Sequence, residues 1–288
     1  MGISSALGPA HEIALSSGRI RYHDTGTGSP VVFVHGLLVN ADIWRGVVPG
    51  LVAAGHRCLA PDWPLGSHTL PMPDADLGPV GIADLIAEFL EALDLTDVTL
   101  VANDTGGALT QILMTRRPER IGRVVLAAVD CYEVFPPRLF ANLLKVAKIA
   151  GAIRPLLAPM RWKFVQRMPF GFGWVTKHEL PQDIAQSYLG PARRSAAIRD
   201  DLRRFAAGVD NRFTIAAAER FPTVEVPVLV VWATEDKLFP MALAQRLVAD
   251  LPRASLRTVD DSYTFVPEDR PELLTELIVE FTRLHAAP

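Results

Sequence analysis

The sequence predicts an α/β fold, a mostly parallel doubly wound sheet interrupted by one helical insert. Three observations lead there. Short β-rich apolar runs alternate with stretches of helical period as far as Asp130. The alternation stops in a segment rich in proline, glycine and aromatic residues, with helical but no strand-like periodicity. It then resumes to the C-terminus.

The elements follow in order. Residues 13–16 and 19–24 read as an antiparallel lead-in pair joined through Ser17-Gly18. Residues 30–34, 57–60, 98–101 and 123–128 are short, largely apolar β-rich runs, as expected of parallel strands buried on both faces. Helical periodicity marks 41–54, 80–93 and 107–116 between them. After the insert come a strand at 227–232, a helix at 241–251, a strand at 255–259 and a closing helix at 271–284. The expected organisation is a core of 1–132 and 214–288 carrying a helical cap of 133–213.

Composition narrows the function classes. A chain of 288 residues that is 49% hydrophobic can bury a large core. Its net charge of −3 gives no overall attraction to nucleic acid. The two cysteines, Cys58 and Cys131, make neither a disulfide framework nor a metal-spaced cluster. The N-terminus lacks a basic-then-apolar leader, and no segment runs 18 apolar residues without a charge or proline. The expectation is a cytoplasmic protein with no membrane span and a small-molecule substrate; a homodimer is compatible with the sequence. Neither GxGxxG spacing nor GxxxxGK[ST] occurs, so no nucleotide cofactor and no metal are expected.

The chemistry centres on Ala102-Asn103-Asp104-Thr105-Gly106-Gly107, which follows the strand ending at Val101 and opens a helix. So sharp a strand-to-helix turn requires small residues two before and two after its centre, met by Ala102 and Gly106. Asp104 then stands strained at the carboxyl end of the sheet, beside a helix N-terminus that favours negative charge. The match of Asn103-Asp104-Thr105 to an N-glycosylation pattern is accidental in such a turn.

On these residues the chain resembles the α/β-hydrolase superfamily. Val31 to Gly36 looks like its strand and His-Gly turn, with His35 and Gly36 in the turn and Trp44 in the helix that follows. The resemblance makes the backbone N–H groups of Leu37 and Thr105 an oxyanion-type donor pair. It places the triad acid at Asp236, after the strand at 228–232, and aligns Phe265 to Glu272 with the segment that follows the catalytic histidine. A carboxylate at the elbow is similar to the branch of haloalkane dehalogenases and epoxide hydrolases, in which aspartate attacks carbon and forms an alkyl-enzyme ester.

The departures are equally specific. Thr264 fills the histidine slot, in Asp261-Ser262-Tyr263-Thr264-Phe265. Thr105 and Leu37 stand where haloalkane dehalogenases hold the halide, usually with a tryptophan after the nucleophile. The turn His35-Gly36-Leu37-Leu38 lacks the proline of epoxide hydrolases, and Tyr188 is the only tyrosine in the insert.

Three residues are candidates for the missing function. His68, on the loop after the fourth strand, opens on the same sheet edge as Asp104. Asp130, ending the sixth strand, is either a second pocket carboxylate or a turn cap. Asp236 is a base, a partner of Thr264 or a structural residue. Glu235 reads as a solvated neighbour and His178 as a cap residue facing either way. His11, His23, His56 and His285 read as surface or edge residues. From Val134 to His178 there are eight basic residues and no acidic one, interleaved with aromatics. That pattern fits an apolar cap underside with a solvated basic face, or attraction to anionic or lipid-like partners.

The functional expectation is hydrolysis of a small apolar electrophile, an alkyl halide, epoxide or ester, through an Asp104 ester. Two alternatives remain: a lyase, cyclase or isomerase using Asp104 as base, and a ligand-binding protein that has lost catalysis.

Overall fold

A computed structural model describes residues 4–286. Eight strands form one sheet: β1 (Ala10–Leu15), β2 (Gly18–Thr25), β3 (Ser29–Val34), β4 (His56–Pro61), β5 (Val98–Asp104), β6 (Ile121–Val129), β7 (Val228–Ala233) and β8 (Ala254–Val259). Their order is β1-β2-β4-β3-β5-β6-β7-β8. Only β2 runs against the rest, being antiparallel to both β1 and β4. The lead-in turn is Ser16-Ser17, one residue earlier than the sequence suggested, because Gly18 already pairs with Leu15.

The first three α-helices are α1 (Val48–Ala53), α2 (Pro79–Ala92) and α3 (Thr105–Arg116). The single helix expected over 41–54 is split into a 3-10 turn, Ala41–Trp44, and α1. Pro49 is the reason: its ring and missing N–H are tolerated only in a helix's first turn, so α1 starts afresh there.

Residues 138–208 carry α4 (Arg138–Ala147), α5 (Ile153–Leu157), α6 (Lys163–Gln166), α7 (Gln182–Arg194) and α8 (Ala196–Gly208). The chain then returns through α9 (Arg212–Ala218), which packs on α3, and ends with α10 (Met241–Asp250), α11 (Val266–Asp269) and α12 (Pro271–Leu284). α2 packs on α3, and α1 on α12, flanking the sheet.

Two features of the sheet position the site. β3 and β5 are adjacent and wholly buried at their carboxyl ends, with Val34 paired to Ala102. The connection from β3 leads to one side of the sheet and that from β5 to the other. A crevice therefore opens where the two strands end, and ligands bind there in open α/β sheets. His35-Gly36-Leu37 and Asp104 emerge at this point.

Candidate active site

Asp104, the last residue of β5 and the N-cap of α3, has φ 53° and ψ −130°. For a non-glycine residue this conformation costs on the order of 1–3 kcal/mol and persists only where its surroundings enforce it. Here the enforcement is steric. A Cβ on Gly106 would lie 2.1 Å from the backbone oxygen of Val34, so α3 approaches β3 more closely than any side chain permits. Gly106→Ala is therefore expected to destabilise the fold by about 3 kcal/mol or more, read from a denaturant midpoint. Unchanged stability would contradict the packing described. On the facing turn, a Cβ on Gly36 would lie 2.2 Å from Asp104 Oδ2.

The carboxylate is held from two sides. The N–H of Leu37 donates to Asp104 Oδ2 at 3.3 Å, and the N–H of Thr105 also hydrogen-bonds the carboxylate. Of the two backbone donors expected to form an oxyanion site, the Leu37 N–H thus bonds the aspartate's own Oδ2, and the Thr105 N–H lies beside the same carboxylate. Burial pushes the Asp104 carboxyl up to about 6, against the downward pull of those N–H groups.

Two more carboxyls share this environment. Asp130 is buried just beyond β6; Thr105 Oγ1 donates to its Oδ2 at 3.0 Å, and its backbone N–H donates to the Asp104 carbonyl. Burial, then the nearby Asp104 charge, holds the Asp130 carboxyl well above the usual carboxylate range. Asp236, after β7, accepts from the N–H groups of Leu238 and Phe239 at 2.7 and 2.9 Å and from Thr264 Oγ1 at 3.0 Å. Burial pushes it up to about 6. Asp130 Oδ1 and Asp236 Oδ2 have no protein partner among the described residues.

Thr264 is fully buried in the position assigned to histidine. Its hydroxyl is spent on Asp236, and its carbonyl accepts from Asn103 Nδ2 at 2.7 Å. Asn103, noticed in the sequence only as a glycosylation pattern, also donates to Ala127 O. It ties the elbow to β6 and to the Thr264 loop; its place beside the nucleophile position was the one available signal.

The histidines lie elsewhere. His68 does not line the cavity: its Nε2 is 3.0 Å from Asp201 Oδ2 in α8, and Asp201 also accepts from the Met72 N–H and from Arg204. Both partners are buried, so His68 ties the loop after β4 to α8 rather than facing Asp104. Asp201 was missed because its partner lies 133 residues away in the chain. His35 lies between Gly36 O and the Trp63 N–H, and burial lowers it to about 4, which keeps it neutral and supporting the turn. His178 is exposed near Asp261. His23 and His56 are buried rather than surface residues, bonded to Gly8 O and to Ser29 and Thr282 respectively. Glu235 pairs with Lys177.

Asp104 and Thr105 lie at the floor of a cavity of about 1120 Å³ including its open mouth. The walls come from the core loops through Leu37, Leu38 and Phe265, and from the insert through residues such as Phe140, Leu157 and Phe205. No cationic side chain lines it among the described residues, nor does any residue group there suit a metal ion. Tyr188, the insert's tyrosine, donates its hydroxyl to Glu268 and is absent from the cavity wall.

The sheet order, the elbow and the His-Gly turn together match one family, the α/β hydrolase fold, whose model covers residues 29–271. The chain belongs to that family. It is similar to haloalkane dehalogenase 2 of Mycobacterium tuberculosis, with 26% identity over 274 residues covering 92% of each chain. It is also similar to a 2-hydroxy-6-oxononadienedioate/2-hydroxy-6-oxononatrienedioate hydrolase of Cupriavidus pinatubonensis, with 27% identity over 271 residues, 91% of this chain and 90% of the relative. The crystal structure of the haloalkane dehalogenase DatA of Agrobacterium tumefaciens superposes with a TM-score of 0.82 over 99% of this chain and 100% of the other at 21% identity, a likeness of fold. Relatives of this α/β-hydrolase chain therefore act on differing substrates, and the particular reaction has to be argued from the site.

Proposed function

We propose that this α/β-hydrolase-fold chain is an enzyme in which Asp104 attacks the carbon of an uncharged apolar electrophile, with residues 133–213 acting as a cap over the site. The carrying observation is the Asp104 carboxylate at the floor of an apolar cavity, with Oδ2 accepting from the Leu37 N–H. Anchoring one oxygen aims the carboxylate without neutralising it. With an alkyl halide, an oxygen lone pair forms the C–O bond as the carbon–halogen bond breaks, and halide leaves. The ester carbonyl then faces Leu37 N–H and Thr105 N–H, which can stabilise a tetrahedral oxyanion when water attacks.

That second half-reaction is where this chain is poorly equipped. An aspartate nucleophile needs no base to attack, but water does, and a positioned base contributes roughly 100-fold to 10,000-fold. Asp236 is the carboxylate best situated to serve, since it is mostly ionised at neutral pH and retains one oxygen without a protein partner. The ester is therefore expected to form readily and to hydrolyse slowly. Thr264 in the histidine slot also supports a second reading, in which Asp104 removes a proton from a bound carbon acid and no water is activated.

Intact-protein mass spectrometry after exposure to apolar alkyl halides, epoxides and activated esters tests the proposal. A long-lived mass increase on the wild-type chain supports covalent attack; proton exchange from a carbon acid with no adduct supports the second reading. The adduct rate carries a pH signature. Only the ionised carboxylate is nucleophilic, so the rate should rise through pH about 6, level off above it, and fall about tenfold per unit well below. A rate flat from pH 4 to 8 would rule out Asp104 as the attacking group.

A further inference from the structure

The outer face of the cap carries a feature that the cavity chemistry does not use. Of the seven large apolar side chains exposed among the described residues, six lie between Arg138 and Phe170: Val146, Ile149, Trp162, Phe164, Met168 and Phe170. Phe164 is 69% exposed and Ile149 62%. Six such side chains within one stretch of the chain are unusual in a soluble monomer, and exposure of this kind marks an interaction surface.

The same stretch is basic. Arg138, Lys145, Lys148, Arg154, Arg161, Lys163 and Arg167 are all exposed, and no acidic residue occurs from Val134 to His178. Among the described residues only one of these seven is ion-paired, Lys163 with Glu179 at the outer limit of 3.9 Å. Arg161 stacks over the Trp162 ring, and Trp162 stacks on Phe164, so charge and aromatic surface are presented together.

Geometry gives the face its direction. α4 packs on α5, α5 on the Ala158–Arg161 turn, and that turn on α6. Phe140, Leu144, Leu157 and Met160 turn inward from these elements to line the cavity. α4, α5 and the Ala158–Arg161 turn thus carry inward apolar side chains together with the exposed Lys145, Arg154 and Arg161, and Trp162 and Phe164 follow directly on this turn without lining the cavity. Phe170 belongs to both sets, exposed at the surface and part of the cavity wall.

We propose that this face of the cap docks on an anionic lipid bilayer. Basic side chains supply the attraction to lipid headgroups, and Trp162, Phe164 and Ile149 insert at the headgroup boundary, where amphipathic aromatics are favoured. Charge complementarity selects this occupant: a second copy would bring two uncompensated basic faces together. No described helix is long and apolar enough to cross a membrane, so the contact is interfacial. Docking would set the cavity wall against the phase in which apolar molecules concentrate. The surface stands on its own residues, and its test is independent of the reaction proposed for Asp104.

Flotation of the full chain with phosphatidylcholine vesicles, with and without 30% phosphatidylglycerol, reads the docking directly, alongside tryptophan emission, of whose five sources only Trp162 lies on this exposed face. Partitioning is expected to be at least tenfold stronger on the anionic vesicles, to weaken from 0.05 to 0.5 M salt, and to be accompanied by a blue shift. Each of Lys145→Gln, Lys148→Gln and Lys163→Gln should weaken it about fivefold, the order expected of one cation at an anionic surface. Trp162→Ala with Phe164→Ala should abolish the shift and most of the binding. These residues are exposed, so unfolding is not expected, and a melting curve on each variant checks it. Absence of vesicle binding at low salt overturns the proposal. Equal binding to neutral vesicles, unaffected by the lysine substitutions, overturns it too, as does a lipid-independent dimer dissolved by Trp162→Ala with Phe164→Ala.

Discussion

Replacing Asp104 by asparagine is expected to abolish covalent capture of apolar electrophiles while leaving the fold intact or more stable. Removing the nucleophile of a covalent mechanism costs on the order of a million-fold in rate. An amide oxygen accepts the same hydrogen bonds from Leu37 and Thr105 but is a far weaker nucleophile. The stability change separates this from misfolding. The folded-state value of Asp104, about 6, lies above that of an unfolded aspartate, so the folded protein binds the proton more tightly. Its contribution is intact below about pH 4, is lost as pH rises through about 6, and stays lost above. Removing the charge should therefore add on the order of 3 kcal/mol at pH 8 and little at pH 4, read from paired denaturant melts. Asp104→Ala guards against slow hydrolysis of the asparagine back to aspartate. An adduct of undiminished yield on both variants would refute the assignment of Asp104.

Thr264→His is expected to accelerate ester hydrolysis by roughly 100-fold to 10,000-fold, the worth of a positioned general base. Thr264 Oγ1 already lies 3.0 Å from Asp236 Oδ1, so a ring nitrogen at this position can donate to the same carboxylate. Asp236 would then orient the imidazole and favour its charged form once it has taken a proton from water. The Asn103 Nδ2 bond to the Thr264 carbonyl holds the loop and survives the substitution, since Thr264 contributes only its backbone oxygen. The larger side chain enters a fully buried position, and overpacking of about 1–3 kcal/mol is the expected cost. Decay of the mass adduct and multiple-turnover release of the leaving group measure the gain. Thr264→Ala is the control and should leave the decay near the wild-type rate. A folded Thr264→His chain whose adduct decays no faster would show that the histidine slot is not where water is activated.

The Asp104 carboxyl in the wall, the buried Asp130 and Asp236 behind it and the lack of a lining cation among the described residues disfavour anionic substrates. An anion on the cavity floor would meet Asp104 in a poorly screened environment, with only two backbone dipoles in compensation. That is the physical ground for assigning an uncharged apolar substrate, whatever the reaction at carbon. The dienedioate substrate named for one relative carries two carboxylates, which this cavity could not neutralise.

The local chemistry of the chain was legible in its residues. The buried strands read as apolar runs, because a strand covered on both faces has no polar side to show. The elbow read as small residues around Asp104, because backbone proximity leaves no room for a Cβ, as Gly106 against Val34 demonstrates. The empty histidine slot read as Thr264, because a missing functional group is visible in one letter. What only the tertiary structure decided depended on partners distant in sequence. His68 opened on the correct sheet edge, yet its direction was set by Asp201 across 133 residues. The Leu37 N–H came to grip Asp104 itself because β3 and β5 are neighbours in the sheet. The raised carboxyls of Asp104, Asp130 and Asp236 depend on shared burial, a property of the packed assembly that no one segment of the sequence carries.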